Sequence, residues 1–316
     1  MAIIRNTASM MLKGKVGATT YYVAESRQLA RQAMNNSNYG QNASRTDLQQ
    51  ERRVKWSNLV NFYSANKAWM RKAYEDLKPG VSIFNRFMQL NINAAQVALT
   101  RSEAQAKLWV PASYRVTQGS LQPLTAEYVE EMPSLALNSV AEIANDTTVA
   151  ALSQSILNGN TRFAEGDAIV CVSFWGVTGA PGGTAGMTPA RYLYSEFVID
   201  TQDTATMSSK YPNWFTEGTA LKDSNGDGSQ AFVFIHTRKS GGKLYVSTQD
   251  MVMNADANEN AEAWRSPAQL AKAIASYGES TTVPLAPGGQ GSLGSGNDSS
   301  SGGGGSEGGD GGGSLG

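Results

Sequence analysis

The sequence is poor in the residues from which most reactive sites are built. Its 316 residues include one cysteine, Cys171, and one histidine, His236. A lone cysteine excludes a disulfide within the chain, and the two residues together cannot assemble a Cys/His zinc site. Charge is also scarce: Asp, Glu, Lys and Arg make up 17% of the chain, against about 25% in ordinary globular domains. No segment approaches the run of about 18 apolar residues that a membrane helix requires, and the opening MAIIRNTASMMLKGKVG lacks the apolar stretch of a signal peptide. The expectation is a chain made in the cytoplasm, with no membrane partner and no cofactor.

What charge there is lies unevenly. Residues 1–107 hold sixteen Lys and Arg against six Asp and Glu, a balance of +10, and the remainder holds ten against twenty-one, or −11. Such a split suits a basic face that meets nucleic acid or an acidic protein surface, or the head of one subunit meeting the tail of another. Its centre is the stretch 46–77, TDLQQERRVKWSNLVNFYSANKAWMRKAYEDL. Here Trp56, Leu59, Val60, Tyr63, Met70, Ala73 and Leu77 recur at helical steps as one buried face. Thr46 and Gln49 have the form of a capping box, Pro79-Gly80 closes the far end, and Arg52, Arg53, Lys55, Lys67, Arg71 and Lys72 fall on the remaining surface.

The rest of the chain supports an α+β class. Residues 1–12 carry no pattern and read as an arm that orders on a neighbour. Residues 14–32, GKVGATTYYVAESRQLARQ, read as a hairpin, with one strand over 16–23 and a second over 27–32. A shorter helix follows Pro79-Gly80, and Thr100 with Glu103 caps another. Trp109-Val110-Pro111 marks a change from helical to extended grammar. The segment 114–159 is hard to read, apart from a helix over 147–157. Clear strands follow over 168–175, 191–201, 230–237 and 243–248, the last two joined by a glycine-containing hairpin loop. Antiparallel pairing in a sandwich-like domain is the expectation. Ser266-Pro267 starts a final helix. The Gly/Ser-rich composition beyond Pro287 cannot bury apolar surface and predicts disorder. The division is 1–110, an assembly region of arm, hairpin and helices; 111–286, a β-rich domain; and 287–316, the tail.

Few candidates for chemistry stand out. Asp223, Asn225 and Asp227 copy the first half of a calcium-binding loop, but its twelfth position is Phe234, so an ordinary turn before a strand is the better reading. His236 lies in an apolar strand with no partner that the sequence singles out, which suits a structural histidine. Cys171 reads as a core residue. GAPGGTAG over 179–186 has neither the Lys-Ser/Thr ending nor the following helix of a phosphate loop. Tyr211, Trp214 and Phe215 offer an exposed stacking platform for a carbohydrate or receptor.

Two stretches carry a resemblance. Gly14, Val16, Gly17 and Arg31 in the hairpin, with Gln50, Arg53 and Trp56 in the helix, occur in the order seen in a family of uncharacterised proteins from Bacteroidetes and their phages. AFVFIHTRKSGGKLYVSTQDMVM is similar to that family's closing hairpin. The resemblance implies a structural protein of a phage or prophage, of crAss-like type, and brings no catalytic residues with it. With the charge split, it sets the leading expectation: a non-enzymatic virion protein of a tailed phage, assembling in many copies as a ring in the neck or tail barrel. It would touch portal, neck or tail proteins and lie close to DNA without reading its sequence. Gly14, Gly17, Tyr21, Arg31, Arg52, Arg53 and Lys55 are the expected assembly residues, with the sheet edges in 16–32 left open for a neighbouring subunit. The rival is a nucleic-acid-binding protein acting through the basic helix. A capsid-surface or receptor-binding module comes next.

Overall fold

Two strands covered on both faces organise the molecule. They belong to a computed structural model that describes residues 2–3, 14–16, 19–24, 27–32, 47–71, 73–75, 77–78, 80–94, 97–179, 181 and 189–277. The N-terminal part holds β1 (Ala2–Ile3), β2 (Gly14–Val16), β3 (Thr19–Ala24), β4 (Arg27–Gln32), α1 (Asp47–Met70), α2 (Ile83–Asn91) and α3 (Arg101–Gln105). Next come β5 (Arg115–Thr117), β6 (Ala126–Val129), β7 (Met132–Ala136), α4 (Val149–Gly159), β8 (Ala168–Trp175), β9 (Arg191–Val198) and α5 (Met207–Lys210). The chain continues through β10 (Trp214–Glu217), β11 (Ala220–Asp223), β12 (Ala231–Ser240), β13 (Lys243–Val246), β14 (Gln249–Asp250), β15 (Val252–Met253), α6 (Ala255–Arg265) and α7 (Pro267–Ser276).

The fold is α+β, with helices beside antiparallel sheets. The central sheet has the order β13-β12-β8-β9, with β15 also on β12. In β8, AIVCVSFW, every residue but the last is buried. The reason is that each face has its own cover. Val170, Val172 and Phe174 pair with Ile235, Val233 and Ala231 of β12 and face a core built with α1, α2 and Trp109. Ile169 and Cys171, with Phe232 and Phe234, face the opposite core. That core is closed by the sheet β10-β11-β7-β6 through Trp214, Leu221 and Leu135, and by Leu152 and Ile156 of α4. A strand sandwiched in this way reads as a continuous apolar run rather than an alternating one. Phe62 of α1 shows the packing on the helical side: its ring lies 5.2–5.7 Å from those of Phe87, Trp109, Tyr114 and Phe174. Full burial of such a ring contributes about 2–3 kcal/mol by transfer alone.

Amide side chains stitch α1 and α2 to the extended chain. Asn58 accepts from the Val110 N–H and donates to the Val110 carbonyl, at 2.9 and 3.0 Å. Asn91 does the same with Arg115, at 2.7 and 3.0 Å. Asn61 donates to the carbonyls of Ala104 and Leu108. Each amide offers a donor and an acceptor side by side and so replaces a missing strand, satisfying backbone groups that burial would leave unpaired.

Several expectations are corrected. The first helix ends at Met70 rather than near Leu77, because Ala73, Tyr74 and Glu75 are drawn into backbone pairing with Gln118. Thr46 lies outside the described residues. Trp56 is not on the buried face; it is 45% exposed. The switch of grammar at 109–111 falls inside the core that α1 shares with β8 and β12. The predicted N-terminal hairpin is present as β3 and β4, but its first strand begins at Thr19, and β2 pairs along β3 while β1 pairs along β4. Both hairpin strands are therefore interior in the order β1-β4-β3-β2, and the edges expected to be open over 16–32 are covered in part by the chain's own short strands, at Thr19–Tyr21 by β2 and at Leu29–Ala30 by β1.

Candidate functional site

The expected assembly residues separate into two groups. In the N-terminal sheet Gly14 stands opposite Tyr21, Tyr21 also stands opposite Ala30, and Arg31 stands opposite Thr20. Gly17 lies outside the described residues. On α1, Arg52 and Arg53 are exposed, whereas Lys55 is tied to Glu51 one turn earlier. The cationic stripe continues through Lys67 and Arg71, both exposed.

Beside that stripe lies an open groove of about 370 Å³ between α1, α3 and the end of α7. Trp56 and Val60 give it apolar surface, Arg101 and Lys107 bring cations to it, and Tyr277 also lines it. The Tyr277 hydroxyl is 3.1 Å from the Ser57 hydroxyl, which fixes the α7 end against α1. Among the described residues no carboxylate lines the groove. Trp56 meets Phe84 edge to face at 6.3 Å, so its ring is held by packing although the residue is 45% exposed. Lys107 has φ +60°, a left-handed conformation at the end of a helix where glycine is the low-cost residue. Sequence periodicity missed this site because it counted Trp56 among core residues.

A second cavity, about 220 Å³, opens on the helical side of the central sheet. Val170 and Ile235 floor it, Trp69 and Tyr194 wall it, and Glu196 and Lys239 stand at its polar side. Tyr194 and Leu193, at 46% and 42% exposure, are with Trp56 the exposed large apolar side chains among the described residues. Both belong to β9, the edge strand of the central sheet. This strand pairs with β8 over eight residues without a register shift, and it contains no proline. Natural edges are commonly blunted by bulges, prolines or charged side chains; β9 has neither bulge nor proline, and its charged residues are Arg191 and Glu196.

Comparison with protein-family models, curated proteins and solved structures gave no match.

His236, which the sequence left without a partner, has one in space. Its Nε2 lies 2.7 Å from Asp167, 69 residues away. Arg238 grips the same carboxylate through Nε and a terminal nitrogen at 2.8 and 2.7 Å, and the Ala164 N–H adds a fourth donor. Burial alone would raise the Asp167 pKa, but these hydrogen bonds outweigh it and bring it down to about 2. The His236 and Asp167 side chains are each only 1% exposed. His236 Nδ1 is buried without a hydrogen-bond partner. The aromatic pair of Phe163 and His236, with centroids 4.7 Å apart, completes the enclosure. The group clamps β12 to the turn that enters β8, with His236 and Asp167 shielded from solvent and Arg238 partly exposed.

Asp223 and Asn225 of the calcium-loop motif also turn inward. Asp223 is buried, accepts from the Asn225 N–H at 3.0 Å and caps the short 3₁₀ turn Ser224–Gly226. Asn225 donates to Ser195 at 3.0 Å, while Asp227 is exposed. Among the described residues no three His, Cys, Asp or Glu side chains are grouped to hold a metal ion. Cys171 is buried, and burial, followed by the nearby Asp223 charge, pushes its thiol well above the usual range. Of the proposed stacking platform, Tyr211 and Phe215 are half-buried, but Trp214 is buried against Phe197 and Phe234. It is part of the core, and the platform does not exist as expected. The 179–186 loop joins β8 and β9, and most of it lies outside the described residues. No helix among the described residues is long and apolar enough to cross a membrane.

Proposed function

We propose that the chain is a non-enzymatic virion structural protein of a tailed bacteriophage, assembling in many copies as a ring in the neck or tail barrel. The observation that carries this reading is the β9 edge: eight residues of continuous strand, without bulge or proline, that expose Leu193 and Tyr194. A strand with an open edge is a template for another chain. The separation of charge, +10 over residues 1–107 and −11 over the remainder, supports contact between unlike faces of successive copies, the arrangement that closes rings. The resemblance of the hairpin and first helix to the Bacteroidetes phage family supports the setting.

The test is the mass of the purified full-length protein in solution, followed by negative-stain imaging. A closed multimer with a central hole is expected, and Leu193→Lys with Tyr194→Lys should shift it toward single subunits that keep the wild-type circular dichroism. A lone particle at every concentration would overturn the reading.

A further inference from the structure

We propose that the groove between α1 and α3 is a binding site for single-stranded nucleic acid, with Trp56 as the stacking surface for a base. The assignment rests on three features that occur together. First, Trp56 is an indole ring left 45% exposed although the helix carrying it is otherwise packed on a large core. Every nucleobase has a π-face, so an open aromatic ring accepts any of them, and sequence preference is weak. Second, cations accompany the ring. Arg52 lies one helical turn before it on α1, and Arg101 and Lys107 line the same groove, with no carboxylate lining it among the described residues. Residues four apart on a helix place their side chains about 5–6 Å from each other, so a base on Trp56 has its flanking phosphates within reach of Arg52 and Lys107.

Third, the charge continues along the same helix. Lys67 and Arg71 are exposed beyond the groove, and the steps from Arg52 to Arg71 span about 28 Å at the helical rise. That length accommodates a site of about four or five nucleotides, the lower end of the range for single-strand binders. The left-handed backbone at Lys107 is consistent with the site: a lysine stands where glycine would be easier, and it puts a charge in the groove lining. An acidic peptide could meet the cations but has no use for the open ring, so single-stranded nucleic acid is the occupant that uses both. The groove is built from residues of one chain.

Fluorescence anisotropy of labelled oligo(dT) and oligo(U) with the full-length protein at low salt tests this. Binding of both is expected, with duplex DNA of equal length weaker. Trp56→Ala should weaken binding by about tenfold or more, from the loss of one stacked base. Arg101→Ala with Lys107→Ala should reduce the slope of log affinity against log salt by about 1.4, for two phosphate contacts on a single strand. Lys107→Gly separates binding from folding, since it relieves the left-handed backbone and must still weaken binding. No binding at low salt, tighter binding of duplex, or unchanged affinity in Trp56→Ala would each overturn the proposal. So would displacement by poly-glutamate as effective as by unlabelled oligonucleotide, which would make the groove an acidic-peptide site.

Discussion

Replacing Asp167 by asparagine should destabilise the protein by about 2–3 kcal/mol at neutral pH, although the two side chains have the same shape. The carboxylate accepts from four donors: both contacting nitrogens of Arg238, Nε2 of His236 and the Ala164 N–H. An amide can present only one oxygen to them. With its nitrogen toward His236 it faces the Ala164 N–H and a guanidinium nitrogen as well. Reversing the imidazole tautomer to accept that amide would move the ring proton to Nδ1, which has no acceptor. Turned the other way, the amide keeps those three donors and leaves Arg238 Nε facing its nitrogen, so at least one donor loses its partner, at about 1.5–3 kcal/mol for a hydrogen bond to a charged group. Arg238, with its side chain 32% exposed, can recover water and keeps the cost below that of a fully buried ion pair.

The pH dependence gives a second magnitude for the same contacts. Asp167 moves from an ordinary 3.8 down to about 2 in the folded protein, which corresponds to about 2 kcal/mol of stability. Because the folded pKa is the lower one, this contribution is complete above about pH 4 and is lost as pH falls through about 2, with roughly half gone at pH 3. Urea unfolding from pH 7 to pH 3 measures both quantities. The gap between wild type and Asp167→Asn should be widest at pH 7 and narrow below about pH 4. A gap under about 0.5 kcal/mol at pH 7, or one that keeps its width down to pH 3, would refute the reasoning.

Two further outcomes follow from buried or strained groups. Native protein should leave Cys171 unlabelled by a disulfide reagent at pH 8, because burial and then the Asp223 charge push its thiol up; labelling should appear only in denaturant, and rapid reaction of the folded form would contradict the core placement. The β6–β7 hairpin turns on Glu130-Glu131, with φ +50° and +64°, where Asn-Gly is the favoured pair for such a turn. Substituting Asn-Gly there should raise stability by about 1–2 kcal/mol, seen as a higher Tm, and a lower Tm would show that the glutamates are held by contacts stronger than the strain.

The parts of this fold legible in the sequence are those decided locally or by burial on both faces. Thr100 and Glu103 do form a capping box on α3, and Ser266 caps α7 with Pro267 in its first turn. Gly241-Gly242 supplies the two positive φ values of the β12–β13 hairpin. The apolar run over 168–175 coincides with β8 to the residue, because both cores demand apolar groups from it. What was not legible depends on partners distant in the chain: Gln118 ending the first helix, and Asp167 completing His236.

The candidate groove was hidden for a related reason. On α1 the buried residues are Val54, Leu59, Phe62 and Met70 together with Asn58, Asn61 and Asn66, so part of the face that enters the core is amide, not hydrocarbon. Asn58 and Asn61 are buried because they satisfy backbone groups of Val110, Ala104 and Leu108, a requirement that hydrophobic periodicity cannot register. Counting only apolar residues turns the inferred face toward Trp56 and away from those asparagines. The same polar bonding that fixes the helix against α3 and the 109–111 segment thus rotates the tryptophan outward, and an indole ring beside Arg52, Arg101 and Lys107 is the consequence.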